Sequence, residues 1–278
     1  MRKQTIRKEI RFSGIGVHSG QKVDVRLIPS FEGKVNFLRI DKARRLVSIS
    51  PESIETSNSS VLVAENCRIR TIEHLMAALY ALHVSSLTVE LNGDEIPIMD
   101  GSAQPFSDAI KKAGTRSLDE DEKIKRIKQS FSIEENDSFL KAEPADDLIV
   151  SYRIKYDHPI INTQEISLKI TPDNFQEEIA PARTFGFSKD ETILKSQGLA
   201  LGASLENTIV LNDSDVINKP LRFPDEFVRH KVLDFLGDIS MLGFYILGHF
   251  KIYKAGHHLH LKTVRFLHKN PEYLEKYT

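Results

Sequence analysis

Hydrophobic positions along the chain fall into two periods. In KVDVRLIP (22–29) Val23, Val25 and Leu27 alternate with polar residues, the pattern of a strand with one buried face. LIVSYRIKY (148–156) and EISLKI (165–170) alternate in the same way and predict further strands. SLTVELNGDEIPIMDGS (86–102) predicts a strand, an Asn-Gly turn, a second strand and a loop. A helical period replaces this alternation in TIEHLMAALYAL (71–82), QPFSDAIKKAG (104–114) and DEFVRHKVLDFLGDISMLGF (225–244). Asn270 as cap and Pro271 at the first helical position predict a short helix over 270–277.

Both halves of the chain mix half-buried strands with a prominent helix, which predicts an α+β fold of two packed layers. Between them SLDEDEKIKRIK (117–128) carries four consecutive acids followed by mixed basic residues, the composition of an exposed linker. The expected organisation is an N-terminal domain over 1–117, a charged linker over 118–127 and a C-terminal domain over 128–278. No sequence repeat of fixed period is visible.

Composition narrows the function. Over 278 residues, 38 basic and 39 acidic side chains nearly cancel, so no global field favours nucleic acid or an acidic membrane surface. Cys67 is the only cysteine, which excludes an intrachain disulfide and a Cys-rich metal site. The basic N-terminus is not followed by an apolar stretch, and no span is long enough to cross a bilayer. A cytoplasmic protein without stable membrane insertion is expected.

Three places carry chemistry. On the 71–82 helix Ile72, Leu75, Met76 and Leu79 form the core stripe, while Glu73, His74, Ala77 and Ala78 occupy the opposite arc. Two ionisable groups beside small residues make an unusual surface, although an acid in the first turn and a hydrogen-bonded histidine explain it equally well. On the 225–244 helix His230, Asp234 and Asp238 follow at i, i+4 and i+8 beside Lys231. His and Asp one turn apart can share one ion, or simply pair with each other. In AGHHLHLK (255–262), an extended chain would put His258 and His260 on one face and His257 on the other, and spacing alone does not select an acid among them. A catalytic zinc usually takes three protein ligands and leaves a position open for water. His74, His230 and Asp234 make such a set, with Glu73 placed as a base.

At these residues the chain resembles the UDP-3-O-acyl-N-acetylglucosamine deacetylases, the zinc amidases of lipid A biosynthesis. The motifs follow in order from GIGVHSG at Gly14 through TIEHLMAAL at Thr71, EIPIMDGSA at Glu95, ARTFGF at Ala182 and FVRHKVLDFLGD at Phe227 to YKAGHHLHLK at Tyr253. The resemblance implies two similar α+β domains, each a β-sheet with packed helices, whose helical layers face each other around the active site. It implies His74, His230 and Asp234 as ligands of one Zn2+ ion, with Fe2+ a possible occupant in the cell. Glu73 becomes the general base and His257 the protonated imidazole that stabilises the oxyanion and protonates the leaving amine, oriented by Asp238. Thr184 would help to hold the oxyanion. Lys231 would contact the sugar and nucleotide and Lys254 the diphosphate.

A segment near 182–211, with Phe185, Phe187, Leu199 and Gly202, matches the insert that forms an acyl-chain passage in the family, and Phe187, Ile193, Leu194 and Leu199 offer an apolar lining. Departures are His260 where an asparagine is expected, the additional His258, and Glu191 where the insert is often apolar. The histidines would bind a second, inhibitory zinc or lie at the surface. The implied substrate is a UDP-linked acylated amino sugar, acted on by a monomer. The rival readings are a zinc deacetylase of another N-acetyl sugar and a non-catalytic nucleotide-sugar or lipid-binding module.

Overall fold

The computed structural model describes residues 1–56, 58–64 and 67–277. Its two halves share one topology. In the first, a sheet runs in the order Ile10–Ile15, Lys22–Pro29, Leu87–Leu91, Val35–Arg39, Arg45–Ser48. Neighbours are antiparallel except Leu87–Leu91 with Val35–Arg39, which are parallel. In the second, Phe131–Glu135, Ser138–Glu143, Tyr245–Tyr253, Leu148–Lys155 and Thr163–Lys169 pair in the same order and orientations. Each half makes two hairpins, leaves its sheet, returns through a helix to the central strand and ends on another helix. Those helices are Glu73–Ala81 and Gln104–Ala113 in the first half, Glu226–Ile239 and His257–Lys269 in the second. The repeat is structural, with no fixed sequence period to announce it.

Alternation decides which face of each sheet meets its helices. Val23, Val25 and Leu27 are buried while Lys22 and Asp24 are exposed, and Leu148, Val150, Tyr152 and Ile154 point inward from their strand. The helical layers then press on each other. All of the Glu73 helix except Tyr80 is buried, and so is all of the Glu226 helix except Arg229 and Lys231. The two backbones approach closely at Gly237, where an added Cβ would lie 2.2 Å from the carbonyl oxygen of Glu73. Ala77 and Ala78 belong to the same buried surface. The polar arc of the first helix is therefore not a wet face but one side of an interface.

Four expectations change. The 118–127 stretch is exposed over 119–121 and mostly half-buried beyond, and it forms strand, Thr115–Asp121 pairing with Arg2–Ile6 and Ile124–Ile127 joining the second sheet. A ribbon exposed on most sides needs no apolar alternation, so charge there does not exclude strand. The second strand expected within 86–102 is reduced to a single bridge between Arg70 and Glu95, since Pro97 lacks the donor that a ladder needs. The closing helix over 270–277 is a turn, Pro271–Tyr273, followed by the strand Leu274–Lys276 on Ile124–Ile127, which buries Leu274. Finally, AGHHLHLK is not extended: the helix begins at His257 and reverses which histidines share a face.

Candidate active site

Thr71, just ahead of the first helix, has φ +56°, a costly conformation for a β-branched residue. Its hydroxyl donates to Glu95 Oε1 at 2.9 Å. The Glu95 carboxylate also accepts the backbone N–H groups of His18 and Ser19 at 2.9 and 2.8 Å, so it fastens the glycine-rich turn to the start of the helix. Glu73 and His74 follow in the first turn, facing the Glu226 helix.

His74, His230 and Asp234 come together there, all buried, with their ligand atoms within 4.8 Å of one another. Asp234 Oδ1 lies 3.4 Å from His230 Nε2 and 3.9 Å from His74 Nε2. Donors about 2.0–2.1 Å from a tetrahedral ion sit about 3.3 Å apart, close to these separations. His230 directs Nδ1 to the carbonyl oxygen of Ala182 at 3.0 Å, which leaves the Nε2 lone pair facing Asp234. Ala182 is fixed in turn, because the next residue, Arg183, pairs with the fully buried Glu226 at 2.9 Å. His74 Nδ1 is buried without a hydrogen-bond partner. Burial, then the neighbouring His230, pushes the His74 imidazole down to about 3, so it is neutral and able to ligate. Burial opposes ionisation of Asp234, but Lys231 at 2.9 Å and the surrounding imidazoles hold its pKa below the usual range. Two neutral imidazoles and a carboxylate are a donor set that fits a divalent ion.

A second buried cluster adjoins this one. His257 and His260 direct Nδ1 at Asp238 Oδ2 from 2.7 and 2.8 Å. Those are hydrogen-bond separations, shorter than ligands around one ion require, and the cluster therefore reads as a charge-holding triad. His257 Nε2 faces the first cluster, 3.9 Å from Asp234 Oδ2 and 4.0 Å from Glu73 Oε1. Burial disfavours the imidazolium, yet Asp238, Asp234 and Glu73 outweigh it and raise His257 to about 10. Burial pushes Glu73 up to about 8; His257 works against that rise, and Asp234 and Asp238 add to it.

His258 lies on the exposed side, 3.3 Å from Glu135, whereas His260 is fully buried and meets the Tyr152 hydroxyl at 3.0 Å. The surface position anticipated for His260 does not match this placement, while the anticipated role as a ligand of a second ion has a counterpart in its grouping with Asp238 and His257, whose candidate ligand atoms lie within 4.8 Å of one another. Ser60 was not singled out by sequence, since nothing marks it within SSVLVA (59–64). Its N–H donates to Glu73 Oε2 at 3.1 Å and its hydroxyl donates to Asp238 Oδ1 in a short hydrogen bond. One serine thus ties the candidate base to the residue that orients the candidate acid.

The other candidates spread around this centre. Lys231 lies over the Phe185 ring at 5.6 Å. Thr184 donates its N–H to Gly101 at 2.8 Å and accepts from Ile209 N–H at 2.8 Å. The strands Phe185–Phe187 and Ile209–Leu211 form a parallel pair, and Phe185 and Phe187 pack on Tyr156 at 5.7 and 5.9 Å. Leu199 is buried; Gly202 donates to Val17, and a Cβ there would lie 2.3 Å from Gly16 O, so the segment is seated on the glycine-rich turn. Ile193 is exposed, and Glu191 pairs with Lys195 at 2.6 Å along its own helix. The Lys254 ammonium is engaged by Asp137 and lies 5.7 Å from the Tyr253 ring centre. Cys67 is buried and free. No helix among the described residues is long and apolar enough to cross a membrane.

A family model described as UDP-3-O-acyl N-acetylglycosamine deacetylase matches residues 3–269. Curated relatives named UDP-3-O-acyl-N-acetylglucosamine deacetylase are similar over nearly the whole chain. The Nautilia profundicola protein is 42% identical over 266 residues, covering 95% of this chain and 91% of the relative. That of Nitratidesulfovibrio vulgaris is 43% identical over 280 residues, covering 99% and 91%. That of Sulfurimonas denitrificans is 40% identical over 278 residues, covering 99% and 94%. With the match running through both halves and both clusters, the chain belongs to the UDP-3-O-acyl N-acetylglycosamine deacetylase family.

Proposed function

We propose that this protein hydrolyses the acetamide of UDP-3-O-acyl-N-acetylglucosamine, releasing acetate and the free amine for lipid A biosynthesis in the cytoplasm. It acts as a monomer with one Zn2+, or Fe2+ in its place, held by His74, His230 and Asp234. When bound, the ion supplies Lewis acidity that polarises the carbonyl and acidifies water beside it. The halves, taken as domains over 1–117 and 128–278, divide the work: the first brings the base and one ligand, the second the remaining ligands and the acid.

Glu73 Oε1 accepts a proton from the water whose oxygen attacks the carbonyl carbon. The His257 imidazolium directs Nε2–H at the developing oxyanion, with the Thr184 hydroxyl as a further donor. His257 then passes that proton to nitrogen as the C–N bond breaks. Asp238 keeps the imidazole charged and aimed. Lys231 meets the sugar and nucleotide, Lys254 the diphosphate, and Phe185, Phe187, Leu199 and Gly202 line the course of the acyl chain.

The observation that carries this reading is the opposition of the buried Glu73 and the half-buried His257, 4.0 Å apart, at the edge of a three-residue ligand group. A binding module has no need of a base and an acid held against burial in one place. The test is acetate release from the 3-O-acylated substrate and from its counterpart lacking the acyl chain. Loss of most turnover without the chain is expected, because its apolar burial contributes binding energy used in the reaction. Equal turnover of the two would point to a deacetylase of another N-acetyl sugar, and tight binding with no acetate to a binding module.

A further inference from the structure

Glu226 is the first residue of the helix that carries His230 and Asp234, and it is wholly buried, yet its side chain does not cap that helix. The carboxylate turns to two loops instead. Oε1 accepts Arg183 N–H at 3.0 Å and Arg183 Nε–H at 2.9 Å, while Oε2 accepts Arg183 Nη2–H at 3.2 Å and Arg222 N–H at 2.6 Å. The two arginines brace the same loops from opposite sides, Arg183 donating to Pro220 O at 3.0 Å and Arg222 to Pro181 O at 2.8 Å. A buried ion pair costs heavily in desolvation and often stabilises no more than apolar residues in its place, so stability alone does not account for this one.

The peptide between Ala182 and Arg183 shows what the carboxylate holds. It is trans and planar, so its N–H and C=O point in opposite directions. The N–H is given to Glu226 Oε1, and the C=O faces His230 Nδ1 at 3.0 Å. One rigid plane therefore joins Glu226 to His230, one turn further along the same helix. A carbonyl oxygen only accepts, so Nδ1 carries the imidazole proton and Nε2 keeps its lone pair. Rotation of that plane would turn the carbonyl away and release the ring.

We propose that Glu226 is a positioning residue of the metal site: through the Ala182–Arg183 peptide it fixes the tautomer and ring plane of His230, and so tightens the hold on a divalent ion. It touches neither the ion nor the substrate. This role rests on the reading of His230 as a metal ligand.

The test is the transfer of Zn2+ from the loaded, full-length protein to a chromophoric chelator, which gives the metal Kd without recourse to turnover. Glu226→Met combined with Arg183→Met removes both charges together and leaves apolar side chains in their place. Its metal-free form should unfold in urea near the wild-type midpoint, while its Kd rises about 10- to 100-fold. A purely structural role would lower the midpoint and leave the Kd. Glu226→Gln keeps an oxygen for the Arg183 N–H and should lose less than about threefold in affinity. His230→Ala should lose more than either. In the wild-type protein, imidazole 15N NMR should find the His230 proton on Nδ1 before and after Zn2+ is added. Wild-type Kd in the folded double variant, beside a loss in His230→Ala, would overturn the positioning role alone. Wild-type Kd in His230→Ala would overturn the ligand assignment and the role with it. A proton on His230 Nε2 in the metal-free wild type would overturn the role even if the double variant failed to fold.

Discussion

His257 and His260, one turn apart on the same helix, share a single carboxylate oxygen, Asp238 Oδ2, at 2.7 and 2.8 Å. The sharing is unequal. With Asp238 ionised, both imidazoles present Nδ1–H to it, but His257 is held charged whereas burial lowers the pKa of His260 and keeps it neutral. The Tyr152 hydroxyl, which donates to the Ala255 carbonyl oxygen at 2.8 Å, lies 3.0 Å from His260 Nε2 and holds that ring in place. His260 therefore positions Asp238, and Asp238 positions His257, the proposed acid.

Removing the shared charge should expose this hierarchy. Asp238→Asn is expected to lower kcat about 10²-fold or more and to move the basic limb of the pH profile to lower pH, because the imidazolium loses its main counter-ion. His260→Asn retains a donor to Asp238 and should cost less than about threefold, whereas His260→Ala leaves the carboxylate short of a hydrogen bond and should cost about tenfold. Steady-state kinetics across pH on the three variants, with KM reported separately, checks the order.

Active enzyme needs Glu73 deprotonated and His257 protonated, so kcat/KM should be bell-shaped in pH. Without an ion, burial raises Glu73 to about 8, and against burial Asp238, Asp234 and Glu73 raise His257 to about 10. A dication in the adjacent ligand group favours the carboxylate and disfavours the imidazolium, so both limbs of the loaded enzyme should fall below those values. Glu73 governs the acidic limb, lost as pH falls, and His257 the basic limb, lost as pH rises. A flat profile across the neutral range would contradict the assignment.

The adjacent residues Glu73 and His74 should fail in different ways. Glu73→Ala is expected to retain stoichiometric metal and lose about 10²–10⁴ in turnover. His74→Ala should lose metal affinity by at least about tenfold. Metal analysis of both purified variants, beside their acetate-release rates, separates the roles; a Glu73→Ala protein stripped of metal would reverse them.

Gly237 makes a prediction about stability. Any Cβ there meets the Glu73 backbone at 2.2 Å, and backbone within a packed helix yields little. Gly237→Ala should destabilise the protein by about 1–3 kcal/mol, through overpacking, as read from urea unfolding. Because the shift falls on Glu73 itself, turnover should drop as well.

What sequence conveyed, and what it did not, follows from the range of each interaction. Alternation over 22–29 and 148–156 located real strands because each strand buries one face, a local pattern. The oddly polar arc of Glu73 and His74 was visible for the same reason. Whether that arc met His230 and Asp234 depended on a contact between residues more than 150 positions apart, and no periodicity encodes it; the family resemblance supplied that expectation. The histidine cluster was unresolved from spacing, because an extended chain and a helix put different members together. Starting the helix at His257 buried His260 and left His258 outside. Ser60 escaped notice altogether: a lone serine acquires its role only when Glu73 and Asp238 converge on it. The structural repeat left no sequence period, because equivalent strands need only the same alternation, not the same residues; the family resemblance alone implied two similar domains.

The central claim is metal-dependent amide hydrolysis at His74, His230 and Asp234, and acetate released per UDP-3-O-acyl-N-acetylglucosamine consumed measures it most directly. The protein should be assayed as purified, after stripping with a chelator, and after one equivalent of Zn2+ is returned. The account predicts one acetate per substrate, a loss of at least about 10²-fold on stripping, and recovery on return of the ion. Undiminished acetate release from fully stripped protein, or none from protein carrying its full complement of metal, would contradict it.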